Sequence, residues 1–190
     1  YVVWYLAAAK VGAVTAGANP RLRARERRLV VDAVGPHLVL ATDELADGLP
    51  DDAPVEVVAT SGVPGRVLTS LRSTGEGVPP LVEDPDRPVC ICFTSGSTGN
   101  PKGVKRSNRN VSSNIGAVNE LFHITEKDVI LGVLPFFHSF GYTGTLWLTM
   151  SLEASSVYHF NPLDSRTVGT LSDEHDVSII LATPTFLRSY

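Results

Sequence analysis

The chain has 190 residues, enough for one domain burying roughly 70% of the surface its unfolded form exposes. With 43% hydrophobic and 19% charged residues it reads as globular, which excludes a disordered chain or a coiled coil. A formal net charge of -4 gives no general electrostatic reason to bind nucleic acid, so a small-molecule partner is expected.

In chain order, residues 1–13 read as an amphipathic helix and Val14 to Ala18 as a short strand ended by the turn pair Asn19-Pro20. Residues 22–34 read as a second helix, stopped by Gly35 and Pro36. Its arginines, Arg21, Arg23, Arg25, Arg27 and Arg28, are taken as a solvated face with Ala24, Leu29 and Val30 turned to the core, in preference to a polyanion site. Leu38 to Ala41 and Val55 to Ala59 follow as strands, the first an unbroken apolar run of the parallel-sheet kind. Residues 73–88, rich in Gly and Pro, form a polar connecting segment.

Val89 to Thr94 is the next strand; Cys90 and Cys92 share one of its faces and are expected to be buried and reduced. With no CxxC spacing and no other thiols, no residue is assigned to a metal. A short extended piece, Val104 to Arg106, precedes a helix over Arg109 to Phe122, with Val111, Ile115, Val118 and Phe122 on one face. Strand 129–133, helix 142–152, strand 156–160, helix 165–175 and strand 178–182 complete the alternation. Such alternation implies an α/β fold, a layered, mostly parallel sheet with flanking helices.

Between the strand at Thr94 and the extended piece at Val104 lies Thr94-Ser95-Gly96-Ser97-Thr98-Gly99-Asn100-Pro101-Lys102-Gly103, which packs four hydroxyls, three glycines and a lysine into ten residues. Glycines let backbone N–H groups approach an anion, hydroxyls add donors, and lysine brings the charge a polyphosphate requires. A plain surface turn would need neither the apolar strand before nor the Pro-Lys-Gly after. Two neighbouring patterns are excluded. A P-loop starting at Gly96 would need glycine at 101 and Ser or Thr at 103, where Pro101 and Gly103 stand, and proline has no N–H for phosphate. A serine-hydrolase elbow centred on Ser97 would need glycine at position 95, which is Ser95. The loop is expected to join two strands, with no helix starting at Lys102.

Residues Phe93 to Val104 resemble the signature phosphate loop of the adenylate-forming superfamily, which holds acyl-CoA synthetases, luciferases and peptide-synthetase adenylation domains. Leu134-Pro135-Phe136-Phe137-His138-Ser139-Phe140-Gly141 is similar to its next motif, Ala182-Thr183-Pro184-Thr185-Phe186-Leu187 to the segment beyond, and Ala18-Asn19-Pro20 to an early turn. The resemblance implies a partial nucleotide-binding domain over residues 1–190 that uses ATP with Mg2+ to activate a carboxylate, with CoA or an acyl carrier protein as thiol acceptor. It implies that Thr94, Ser95, Ser97, Thr98 and Lys102 hold the β- and γ-phosphates, that Gly96, Gly99 and Gly103 shape the loop, and that His138 places the substrate carboxylate. Without the resemblance, His138 beside two phenylalanines would read as a packed core residue.

Within the superfamily, residues 136–147, 158–163 and 182–190 look most like the fatty-acid branch, in particular the acyl-carrier-protein synthetase domain of 2-acylglycerophosphoethanolamine acyltransferases. Amino-acid adenylation and a non-catalytic nucleotide- or acyl-binding module stay open as alternatives. The magnesium-binding, ribose-binding, hinge and C-terminal catalytic-lysine motifs of the superfamily are not found. Together with the start at Tyr1 and a single methionine, Met150, this leads to the expectation of a piece of a larger ligase, inactive by itself. A cytoplasmic location is expected, with peripheral membrane association of the parent left open. Gly141, Gly144 and Thr145, continued by Leu148 and Leu152, suit either close helix packing or the wall of an apolar acyl tunnel.

Overall fold

The computed structural model describes residues 2–42, 45, 49, 83–94 and 101–190, with residues 56–59 as backbone. The chain divides into two compact units, Tyr1–Gly17, Val82–Cys92 and Lys105–Tyr190 forming the first, Ala18–Leu81 and Phe93–Val104 the second.

The first unit opens with α1 (Val2–Lys10) and β1 (Thr15–Gly17). The helix stops a turn short of the predicted end. Gly12 takes a left-handed φ of 71°, Gly12 N–H bonds Ala9 O at 3.1 Å, and Ala13 N–H reaches back to Ala8 O at 2.8 Å. This paired closure is a glycine-dependent helix stop. Beyond it, β1 runs parallel to β4 (Pro88–Thr94), Thr15 opposite Cys90 and Gly17 opposite Cys92, and β5 (Lys102–Ser107) flanks β4 on the other side. Helix α3 (Asn108–Phe122) follows, so Pro88 of the predicted connecting segment instead opens β4.

A second sheet of the same unit has the order β7-β6-β8, from β6 (Val129–Gly132), β7 (Ser155–Tyr158) and β8 (Ile179–Leu181), all parallel. Parallel sheets need cover on both faces, and β6 shows it. Ile130 joins a core with Tyr5, Cys90, Val111, Ile115 and Leu146, while its neighbour Leu131 packs with Val133 and Val168 on the opposite face. Both are wholly excluded from solvent, each side chain contributing roughly 1.5–3 kcal/mol of burial. The opposing cover comes from α5 (Ser165–Glu174), which carries Val168; its Asp164 carboxylate caps it by accepting from Thr167 N–H at 3.1 Å.

The segment read as a helix from residue 142 is π-helical over Gly141–Trp147 before tightening into α4 (Leu148–Ser151). Here Thr145 is fully buried, its hydroxyl donates to Gly141 O at 2.8 Å, and Tyr158 donates to Thr145 O at 2.9 Å. Side-chain donors thus serve carbonyls that a widened turn leaves without regular partners. The closing helix α6 (Pro184–Leu187), with proline in its first turn, was read only as a motif in the sequence.

In the second unit, α2 (Ala24–Val34) ends at Gly35, left-handed at φ 56°, and β2 (Leu38–Ala41) pairs in parallel with β3 (Glu56–Ala59). Arg21, Arg23, Arg25 and Arg28 are exposed, as a solvated face requires, but the anchoring of that face needs correction. Arg21 and Arg23 precede the helix, Ala24 is exposed, and only Val30 of the expected anchors is buried. Arg27 is half-buried, donating from Nη1 to Leu22 O at 2.9 Å. Five arginines in so short a run leave too few apolar positions for a full stripe.

Candidate functional site

The phosphate-loop expectation rests on its two described ends. Strand β4 carries Thr94 to an exposed position, and β5 starts at Lys102, exposed, with Gly103 exposed beside it. Thr94 Oγ1 donates to Lys102 O at 3.5 Å, so the two ends come together across the loop. A strand, not a helix, starts at Lys102, as the sequence leads one to expect. Ser95, Gly96, Ser97, Thr98 and Gly99 lie outside the described residues.

His138 belongs to the other compact unit, in the turn between β6 and the π-helix. Its backbone is pinned, N–H donating to Pro135 O at 3.0 Å and the carbonyl accepting from Tyr142 N–H at 2.9 Å. The turn itself is anchored by Phe136, packed edge-on against Tyr5 at 6.4 Å and Tyr158 at 5.1 Å. Those contacts leave the His138 side chain exposed beside Phe137, which sets aside the packed-core alternative for this residue. A backbone held at both its N–H and its carbonyl thus presents an exposed imidazole.

Gly141 and Gly144 serve close packing. A Cβ on Gly141 would collide with the carbonyl oxygens of Pro135 and Leu134, and one on Gly144 would stand 3.2 Å from Leu181 and Phe140 side-chain atoms. What the sequence did not reveal is a cavity of about 310 Å³ in the first unit, walled by Val89, Val111, Ile115, Tyr142 and Trp147. The Trp147 indole N–H is buried beside the Tyr142 hydroxyl. Helical spacing marks Val111 and Ile115 as apolar, and nothing in it tells a cavity wall from a filled core.

The cysteines are buried as expected, their sulfurs 3.9 Å apart. The hydrogen bond between them, with the Arg106 guanidinium of β5 adding to it against burial, brings Cys92 down to about 7. The same bond and burial push Cys90 well above the usual thiol range.

The model of AMP-binding enzymes matches residues 1–190. The chain belongs to that family. Among similar family members, 4-coumarate--CoA ligase 5 of Oryza sativa subsp. japonica is 30% identical over 97% of this chain and 35% of its own length. Indoleacetate--CoA ligase of Aromatoleum aromaticum is 33% identical over 80% of this chain and 32% of its own length. The chain therefore spans about a third of the length of these relatives. In fold, O-succinylbenzoate coenzyme A synthetase of Bacillus subtilis, solved with ATP and magnesium ion, superposes with a TM-score of 0.83 at 23% identity, over 99% of this chain and 38% of that one. The α/β architecture, parallel sheets with flanking helices, is shared with that synthetase. Among the described residues no helix is long and apolar enough to cross a membrane.

Proposed function

We propose that this chain is the phosphate-handling part of an ATP-dependent carboxylate–thiol ligase. The observation that carries the reading is the pair of adjacent strands delivering an exposed hydroxyl, Thr94, and an exposed ammonium, Lys102, to the two ends of a Ser/Gly loop. That donor set fits a polyphosphate. Lys102 offsets charge on the departing pyrophosphate, and Thr94, Ser95, Ser97 and Thr98 supply hydroxyl donors while Gly96, Gly99 and Gly103 let the backbone close in. Magnesium, when bound with ATP, would neutralise part of the triphosphate charge; no described residue is assigned to hold it.

His138 orients the carboxylate for attack on the α-phosphorus, giving an acyl-adenylate and pyrophosphate. A thiol, CoA or an acyl carrier protein, then takes the acyl group and releases AMP. A fatty acid is the favoured carboxylate, from the likeness of residues 136–147, 158–163 and 182–190 to the fatty-acid branch and to the acyl-carrier-protein synthetase domain of 2-acylglycerophosphoethanolamine acyltransferases. The arylic relatives make an aromatic acid the competitor, and a cytoplasmic site of action goes with either.

The 190-residue chain is the partial nucleotide-binding domain of this ligase and does not complete the reaction alone, since it spans about a third of its relatives and alignment of the reactants supplies much of the rate. Carboxylate-dependent exchange of labelled pyrophosphate into ATP is expected with the whole protein and absent with the 190-residue chain. Exchange by the chain above a no-enzyme blank would overturn the second statement; no exchange by the whole protein with any fatty or aromatic acid would overturn the first.

A further inference from the structure

The core of the first unit holds a reactive arrangement that the ligase reading does not use. Cys90 and Cys92 project from one face of β4 with Sγ atoms 3.9 Å apart, in contact and with nothing between them. Arg106 on the neighbouring β5 hydrogen-bonds Cys92 through its guanidinium, and its Nε–H is buried with no partner among the described residues. Among the described residues the other titratable neighbour acting on the pair is Tyr142 of the π-helix, whose hydroxyl burial keeps protonated. A cation with a spare donor against one of two touching thiols is an environment for a thiolate and for an oxygen placed on it.

We infer that Cys92 is a site of oxidation by hydroperoxides, with Cys90 as the thiol that resolves it into a reversible disulfide within β4. Attack begins at Cys92, the residue beside the Arg106 guanidinium and, at 7% exposed against 2% for Cys90, the less deeply buried of two buried residues. The Cys92 thiolate takes the terminal peroxide oxygen, the O–O bond breaks, and the leaving alkoxide or hydroxide picks up a proton. Cys92 becomes a sulfenic acid whose oxygen gives the orphan Arg106 Nε–H an acceptor. Cys90 sulfur then attacks Cys92 sulfur, the S–O bond breaks, and water leaves with the Cys90 proton. Two thiols are oxidised to one disulfide while one peroxide is reduced to an alcohol or water.

The product is labile by construction. Two residues advance a strand by about 6.6 Å, so side chains on one face stand farther apart than the roughly 3.8 Å between Cβ atoms that a disulfide favours. Closing the bond bends β4 between its register partners Thr15 and Gly17, two residues before Thr94. Bonds formed against such a bend are readily reduced.

The test treats the reduced whole protein with hydrogen peroxide and maps the cysteines by peptide mass spectrometry. We expect the peptide carrying Cys90 and Cys92 to lose two hydrogen atoms and to regain them with millimolar monothiol. Cys90→Ser, which keeps a hydrogen-bond donor, should accumulate a sulfenic acid on Cys92 that dimedone traps. Trapping should rise with pH as the Cys92 thiol ionises, and Arg106→Met should move that midpoint upward and slow trapping several-fold at neutral pH. An unchanged peptide, a disulfide to any other cysteine, dimedone on Cys90 in Cys92→Ser at the rate found for Cys92 in Cys90→Ser, or a pH profile indifferent to Arg106 would each overturn the inference.

Discussion

An added Cβ at Gly141 would meet two backbone carbonyl oxygens that have no rotamer to escape into, whereas one at Gly169, on α5, would meet nothing within 4 Å. Both are helical glycines, and propensity alone favours alanine at each. Packing decides between them: Gly141→Ala should destabilise the protein by about 1–3 kcal/mol, and Gly169→Ala should stabilise it by roughly 0.5–1 kcal/mol, read from denaturant midpoints. The opposite signs test whether Gly141 is present for close approach. At Asp128, a hydrogen bond from Thr125 N–H at 2.8 Å, helped by the Ser178 hydroxyl at 2.8 Å, holds the carboxyl below its ordinary 3.8. A depressed folded-state value means stability present above 3.8 and lost as pH falls through the lower folded value. The advantage of wild type over Asp128→Asn should therefore be constant near neutral pH and vanish on acidification below that range; an advantage that grew there would contradict the assignment. His138 shows what the sequence could not carry at this scale. Without the motif, two adjacent phenylalanines would suggest burial, yet Phe136 turns inward to Tyr5 and Tyr158 while His138 stays exposed, a division that depends on partners far along the chain.

Helix α3 is held at both ends by local chemistry. Ser107 Oγ accepts from Asn110 N–H at 3.3 Å and Asn110 Oδ1 accepts from Ser107 N–H at 3.0 Å, a reciprocal cap with asparagine in the role usual for glutamate. Ser107→Ala should cost about 1 kcal/mol. At the other end His123 is left-handed at φ 51° with an exposed side chain, so His123→Gly should gain roughly 1 kcal/mol by removing Cβ strain; thermal unfolding of both variants checks the pair. Elements of this kind were legible in the sequence because their signals are local: Gly35 ends α2, and β2 occupies Leu38–Ala41, residue for residue where the apolar run lies. The π-helix was not, since a widened turn arises from buried threonine and tyrosine hydroxyls whose partners only folding supplies. Nor was the exposure of Ala24, an apolar residue outvoted by the arginines around it.

For the whole molecule, alternation of strands and helices sufficed for the fold class, and the motifs at residues 93–104 and 134–141 sufficed for the family, because both depend on composition and order along the chain. The candidate site was legible only in part. The sequence names Thr94, Lys102 and His138, and the fold puts the first two at adjacent strand ends and the third on a pinned turn of the other unit. A cavity beside Trp147 and the Arg106 guanidinium beside the expected cysteine pair were outside its reach, since each is a meeting of separate elements. The central claim is that phosphate work belongs to the loop and acyl work to the histidine. Pyrophosphate exchange by Lys102→Ala and His138→Ala variants of the whole protein, measured with the affinities for ATP and for the carboxylate, tests it most directly. Loss of one charge-assisted contact to the departing pyrophosphate corresponds to about 2–4 kcal/mol, so Lys102→Ala should slow exchange on the order of a hundredfold with carboxylate affinity unchanged. His138→Ala should weaken use of the carboxylate and leave ATP affinity nearly intact. Unchanged exchange in Lys102→Ala, or ATP binding destroyed in His138→Ala, would contradict the account.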